Sequence, residues 1–117
     1  LLEQEKIIIK MMDELVKYFL SKNGKKIKVE IEEKENIFQI ISSSNIDMSD
    51  DELEFINSKL ASHKNREYNF YWELMGEPFE EDELKLLFLL ADNVRIYYEN
   101  NELLFIVEIK KNKSSKL

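Results

Sequence analysis

Apolar side chains at Ile8, Met11, Met12, Leu15, Val16 and Phe19 recur at helical spacing, with Glu3, Lys10, Glu14 and Lys17 on the other faces. The pattern predicts an opening helix that stops at Gly24. The period then changes. In "KKIKVEIEEKENIFQII", Ile27, Val29 and Ile31 alternate with Lys28, Glu30 and Glu32, the signature of a strand with one wet face. Glu33 to Asn36 supplies a polar turn, and Ile37 to Ile41 returns as a more deeply buried strand.

Ser49 with Glu52 three residues on forms a capping box. The hydroxyl accepts an orphan N–H of the first helical turn, and the carboxylate accepts the cap residue's own N–H. Behind it Leu53, Ile56 and Leu60 share a stripe, with Phe55 beside it. A second helical piece is expected over Arg66 to Met75, broken by Gly76 and Pro78. "EEDELKLLFLLAD" reads as a last helix, its acidic first turn suited to the positive end of the helix dipole. "NVRIYYENNELLFIVEIK" reads as a second hairpin turning at Asn100-Asn101, because Asn tolerates the left-handed backbone of tight turns.

The expected order is helix, two strands, three helices, two strands. Two antiparallel hairpins joined in one sheet, with helices on one face, bury all the apolar stripes. The fold class is therefore α+β, a two-layer sandwich with a four-stranded, mainly antiparallel sheet. Residues 1–110 form a single domain, and residues 111–117 a basic, frayed tail. The sequence begins at Leu1 rather than Met, which leaves room for residues or a domain upstream.

Composition narrows the function classes. A chain of 117 residues with 44% hydrophobic side chains buries a sizeable core. Its net charge of -7 argues against nucleic acid as the main partner, since phosphate binding needs clustered Lys and Arg. Without cysteine there are no disulfides or thiolate metal sites, which fits a cytoplasmic location. The longest apolar runs, such as Leu103 to Val107, are too short to cross a bilayer, so no membrane role is expected. The common phosphate-loop, zinc-protease and nucleophile-elbow motifs do not occur.

The joint between the first hairpin and the capped helix, "SSSNIDMSDDELEFINSKL", carries the candidate chemistry, because loops between a strand and a helix often hold a phosphate. With "ELVKY" (Glu14 to Tyr18) in the first helix and "SSNIDM" (Ser43 to Met48) after the hairpin, the layout resembles the ATP-binding fold of histidine kinases, gyrase and Hsp90. Within that group it is most similar to the SiaB-type bacterial regulatory kinases. The resemblance covers residues 5 to 62, with the last helix and hairpin agreeing in type. It implies that Glu14 stands where the family has a magnesium-holding Asn, and Ser43 where it has the adenine-reading Asp. Asn45 and Asp47 then replace two glycines that let backbone N–H groups approach a phosphate.

Those replacements work against a nucleotide. Asp47 sets a negative charge beside an anion, costing roughly 1 kcal/mol or more. The segment where a glycine-rich lid belongs, "LMGEPFEEDE", is acidic and has only Gly76. Glu14, Ser43, Asn45 and Asp47 are therefore cofactor-binding candidates only if nucleotide is bound at all; the competing reading is an exposed helix carboxylate and ordinary turn chemistry. No catalytic or metal residue is assigned. His63, the only histidine, is expected to sit solvated near the end of its helix.

The leading expectation is a noncatalytic regulatory module of bacterial signalling that binds another protein and needs no cofactor. Its contact residues would be Tyr68, Tyr71, Trp72 and Phe79, aromatic types enriched at interfaces. Homodimerisation stays open. One alternative is an active SiaB-type serine/threonine kinase using ATP and magnesium. The other is an unrelated α+β domain.

Overall fold

The computed structural model describes residues 3–64 and 84–111. Its elements are α1 (Glu3–Ser21), β1 (Lys28–Glu33), β2 (Ile37–Asn45), α2 (Asp50–Lys64), α3 (Lys85–Leu90), β3 (Asn93–Glu99) and β4 (Glu102–Lys110). The strands form one four-stranded sheet in the order β1-β2-β4-β3, with every neighbouring pair antiparallel. Each hairpin thus contributes one central and one edge strand. The architecture is the α+β sandwich that the alternation of patterns predicts.

One face of the sheet carries the core. Leu103, Phe105, Val107 and Ile109 of β4 alternate inward, and the register sets Val94 and Ile40 beside Val107. The helices close over them with Ile8, Met11, Leu15, Tyr18 and Phe19 from α1, Ile56 from α2, and Leu87 and Phe88 from α3. Tyr18, Phe19 and Phe105 meet edge to face, with ring centroids 5.8 to 6.1 Å apart. Tyr18 belongs to this core although the apolar stripe read from the sequence passes it by. Ile31 is 46% exposed, because the helices do not reach over the edge strand β1.

Helix α1 stops ahead of Gly24, as the sequence predicts, and the left-handed residue at its end is Asn23. Asn23 adopts the left-handed conformation at φ 64°, and the N–H groups of Gly24 and Asn23 bond back to the carbonyls of Phe19 (2.8 Å) and Leu20 (3.1 Å). Gly24 is required for space: a Cβ there would overlap the Ser44 hydroxyl and lie 3.0 Å from the Phe19 carbonyl oxygen. The capping box at Ser49 forms as expected, with Glu52 accepting the Ser49 N–H at 2.9 Å and the Ser49 hydroxyl accepting the Glu52 N–H at 3.2 Å. The second hairpin turns at Asn100 and Asn101, both with positive φ of 51° and 57°, the type I′ geometry that two-residue hairpins favour.

Three expectations need correction. The strand read as ending at Ile41 continues to Asn45, because Ser42 to Asn45 still pair with Phe105 to Glu102. Lys111 is not frayed: its N–H donates to the Asn36 carbonyl and its ammonium pairs with Glu33 at 2.8 Å. The last helix has no acidic residue in its first turn; it starts at Lys85, after Leu84 in the left-handed conformation at φ 60°. The helical piece over Arg66 to Met75, the break at Gly76 and Pro78, the aromatic residues Tyr68, Tyr71, Trp72 and Phe79, and the tail beyond Lys111 lie outside the described residues.

Candidate functional site

Glu14 lies on α1 at the flank of its buried stripe and faces α3. Its carboxylate accepts the N–H of Leu86 on Oε2 at 3.0 Å and the N–H of Leu87 on Oε1 at 2.7 Å. These are orphan donors of a first helical turn, so the negative charge that α3 lacks in its own first turn comes from another helix. The side chain is half-buried rather than a free surface carboxylate. Burial pushes its pKa above the ordinary 4.5, the two N–H groups and the charge of Lys59 pull it back, and Asp13 adds a small upward push.

Lys59 faces Glu14 from α2. It is 5% exposed, and its ammonium stands 5.0 Å from the centre of the Phe55 ring. Its place was visible in the sequence, three residues after Ile56 on the margin of the apolar stripe, although a lysine there reads as solvent-facing. Among the described residues this meeting of α1, α2 and α3 is the most buried charged locus. Its chemistry is that of a clamp: a carboxylate whose two oxygens already accept main-chain N–H groups.

The other candidates sit elsewhere. Ser43 lies within β2, 9% exposed, on the face with Gln39 and Ile41 that points away from the helices. Glu14 and Ser43 are therefore on opposite sides of the sheet. Asn45 ends β2, exposed, and its side-chain oxygen accepts the Lys26 N–H at 3.1 Å, which ties the two ends of the first hairpin together. Asp47 is exposed on the short link to α2. The serines that do face the helices are Ser42 and Ser44, fully buried with hydroxyl oxygens that have no hydrogen-bond partner among the described residues.

That link is latched by a residue the sequence reading passed over. The Tyr98 hydroxyl donates to the Ile46 carbonyl at 2.8 Å and accepts the Met48 N–H at 3.1 Å, while the Ile46 N–H reaches the Asn101 carbonyl at 2.9 Å. Met48 and Ile46 are buried as a result. The available signal was strand alternation, which puts Tyr98 on the inward face with Val94 and Ile96.

The face of the sheet that the described helices leave uncovered carries a second polar set. Glu108 accepts from Asn93 (3.2 Å), Gln39 (3.0 Å) and Arg95 (3.1 Å). The Asn93 amide is the largest influence and, joined by the Gln39 amide and the charge of Arg95, holds its carboxyl below the usual range against the opposing effect of burial, which is second in size. Among the described residues no group of three or more acidic or histidine side chains is placed to hold a metal ion, and no helix is long and apolar enough to cross a membrane. No family model, no curated protein and no solved structure matches the chain.

Proposed function

We propose that this chain is a noncatalytic regulatory module that works by binding another protein, on a scaffold of the histidine-kinase-like ATPase type whose nucleotide chemistry is gone. One observation carries the reading. The carboxylate at the position corresponding to the family's magnesium-holding residue, Glu14, already accepts a main-chain N–H on each oxygen, from Leu86 and from Leu87. A cation taken up there must compete with both bonds and with the nearby charge of Lys59.

The remaining candidates support it. Ser43 is turned to the far side of the sheet from Glu14, and Asn45 is committed to the Lys26 backbone. A triphosphate near the end of β2 would meet the exposed Asp47 instead of the open N–H groups of a glycine loop. The family resemblance names the partner classes as response regulators, anti-sigma factors and anti-sigma-factor antagonists in bacterial signalling, and the absence of cysteine fits a cytoplasmic setting. Titration calorimetry with Mg-ATP should give only heat of dilution. A micromolar site would defeat the proposal in favour of the kinase alternative.

A further inference from the structure

We infer that the face of the sheet left uncovered by the described helices is a dimerisation surface, and that its occupant is a second copy of this chain. The inference uses only the protein-binding half of the reading above; heat with Mg-ATP would overturn the loss of nucleotide chemistry and leave the dimer standing. The argument starts from register. Across β1, β2, β4 and β3 the outward side chains line up in rows: Lys28, Ser43, Leu104, Tyr97; then Glu30, Ile41, Ile106, Arg95; then Glu32, Gln39, Glu108, Asn93. Ile41, Leu104 and Ile106 form an apolar group on the two central strands, only partly covered and bordered by Ser43, Gln39 and Glu108, with Tyr97 50% exposed beside it. The flanks are charged and unlike: acid with one lysine on β1, arginine and tyrosine on β3.

Two sheets stacked face to face are related by a two-fold axis lying in the contact plane. With the axis parallel to the strands on the sheet midline, each row meets itself in reverse. Glu30 then faces Arg95 of the second copy, Lys28 faces the Tyr97 ring, and Ile41 faces Ile106. Every outer pair in the first two rows is opposite in charge or cation on aromatic. An axis across the strands through the middle row sets Glu30 on Glu30 and Arg95 on Arg95, which is repulsive. The charge pattern therefore selects one arrangement. Aligned sheets pack about 30° apart, and this rotation displaces the outer pairs by only a few ångström, within reach of Glu and Arg side chains.

Size sets the strength. Four strands about 4.8 Å apart and roughly 20 Å of shared length span about 400 Å² in plan, below the ~800 Å² per partner of a standard interface. The dimer is therefore weak and reversible.

The test is sedimentation equilibrium on the whole chain and on two variants, Glu30→Arg and Arg95→Glu, each first confirmed folded by circular dichroism. Each variant alone places two like-charge pairs in the dimer and should self-associate about tenfold or more weakly than the wild type. An equimolar mixture restores opposite charges at both pairs, one with the native signs and one with them exchanged, and should recover wild-type association. Because Arg95 also pairs with Glu108 in its own protomer, Ile41→Glu serves as a second probe; it should abolish dimers without unfolding the monomer. A wild-type chain that stays monomeric at about 1 mM overturns the inference. So does wild-type association of either charge variant alone, or a mixture no better than its components.

Discussion

Replacing Glu14 by Ala tests the clamp at the α1–α3 contact. The substitution removes two acceptors, leaving the Leu86 and Leu87 N–H groups unpaired in a part-buried setting, and withdraws a negative charge that acts on Lys59. Burial of the charge outweighs these bonds, which is why the pKa is raised, so the loss comes from the two part-buried N–H groups left unpaired, at about 1–3 kcal/mol each when fully buried. A net loss of about 2–3 kcal/mol follows, a large share of the roughly 6–15 kcal/mol expected for a domain of this length. Glu14→Gln keeps one acceptor oxygen but turns an NH2 toward the second N–H, and should lose about 1–2 kcal/mol. Urea unfolding, with m held constant between variants, gives these differences directly; thermal melts should drop by about 10 °C for the alanine variant. The pH dependence has a definite sign. The folded pKa of Glu14 is raised above 4.5, so its contribution is fullest below that value and declines as pH rises through the folded pKa. The gap between wild type and Glu14→Ala should therefore narrow on raising the pH from the acid side. If the carboxylate were instead a poised magnesium contact, its loss would leave the unliganded protein within about 0.5 kcal/mol of wild type. That result would refute the clamp and weaken the proposed loss of nucleotide chemistry with it.

Four further outcomes follow from the same geometry. Gly24→Ala should destabilise by about 1–3 kcal/mol in urea melts, and Ser44→Ala should recover part of the loss, since the Ser44 hydroxyl is the first atom a new methyl meets. Ser42→Ala alone should be neutral or stabilising by up to about 1 kcal/mol, because it removes a buried hydroxyl without a partner; a loss above about 1 kcal/mol would reveal a bond to that oxygen. Tyr98→Phe should cost about 1–2 kcal/mol and speed amide exchange at Met48, whose N–H loses its acceptor. The depressed pKa of Glu108 adds stability above pH 4.5 that is lost as pH falls through the folded value, so Glu108→Gln should flatten the acid limb of the stability profile; an unchanged limb would mean the Asn93 and Gln39 contacts do not form in solution.

The fold was legible where one period dominates a segment. Period-two alternation at Ile27 to Ile31 and in β4 fixed both hairpins, and the Ser49–Glu52 box and Asn100-Asn101 turn fixed two boundaries, because each is a local interaction satisfied by neighbours in sequence. Errors fell where a partner distant in sequence decides the outcome. Ser42 to Asn45 look like loop by composition, yet β1 and β4 offer them a complete ladder, so backbone pairing overrides the poor strand propensity of serine and asparagine. Gly24 marks the helix stop, but the left-handed residue there is Asn23, and the glycine answers a side chain 20 positions away.

The candidate site shows the same limit more sharply. Residues 43, 45 and 47 are neighbours in sequence and read as one loop, but a strand sends alternate side chains to opposite faces. Once β2 extends to Asn45, Ser43 must point away from the helices while Ser42 and Ser44 point toward them. The geometry that makes Ser43 unable to share a ligand with Glu14 also places it on a central strand of the face that the described helices leave uncovered, beside Leu104. Reading Ser43 as the start of a loop hides both consequences; reading it as a rung of the sheet yields both. The grouping that matters is thus across the ladder, from Lys28 to Tyr97 and from Glu30 to Arg95, and it exists only after four segments of the chain have paired. A surface built from one residue per strand leaves no spacing in the sequence, which is why the most specific chemistry of this chain had no motif to announce it.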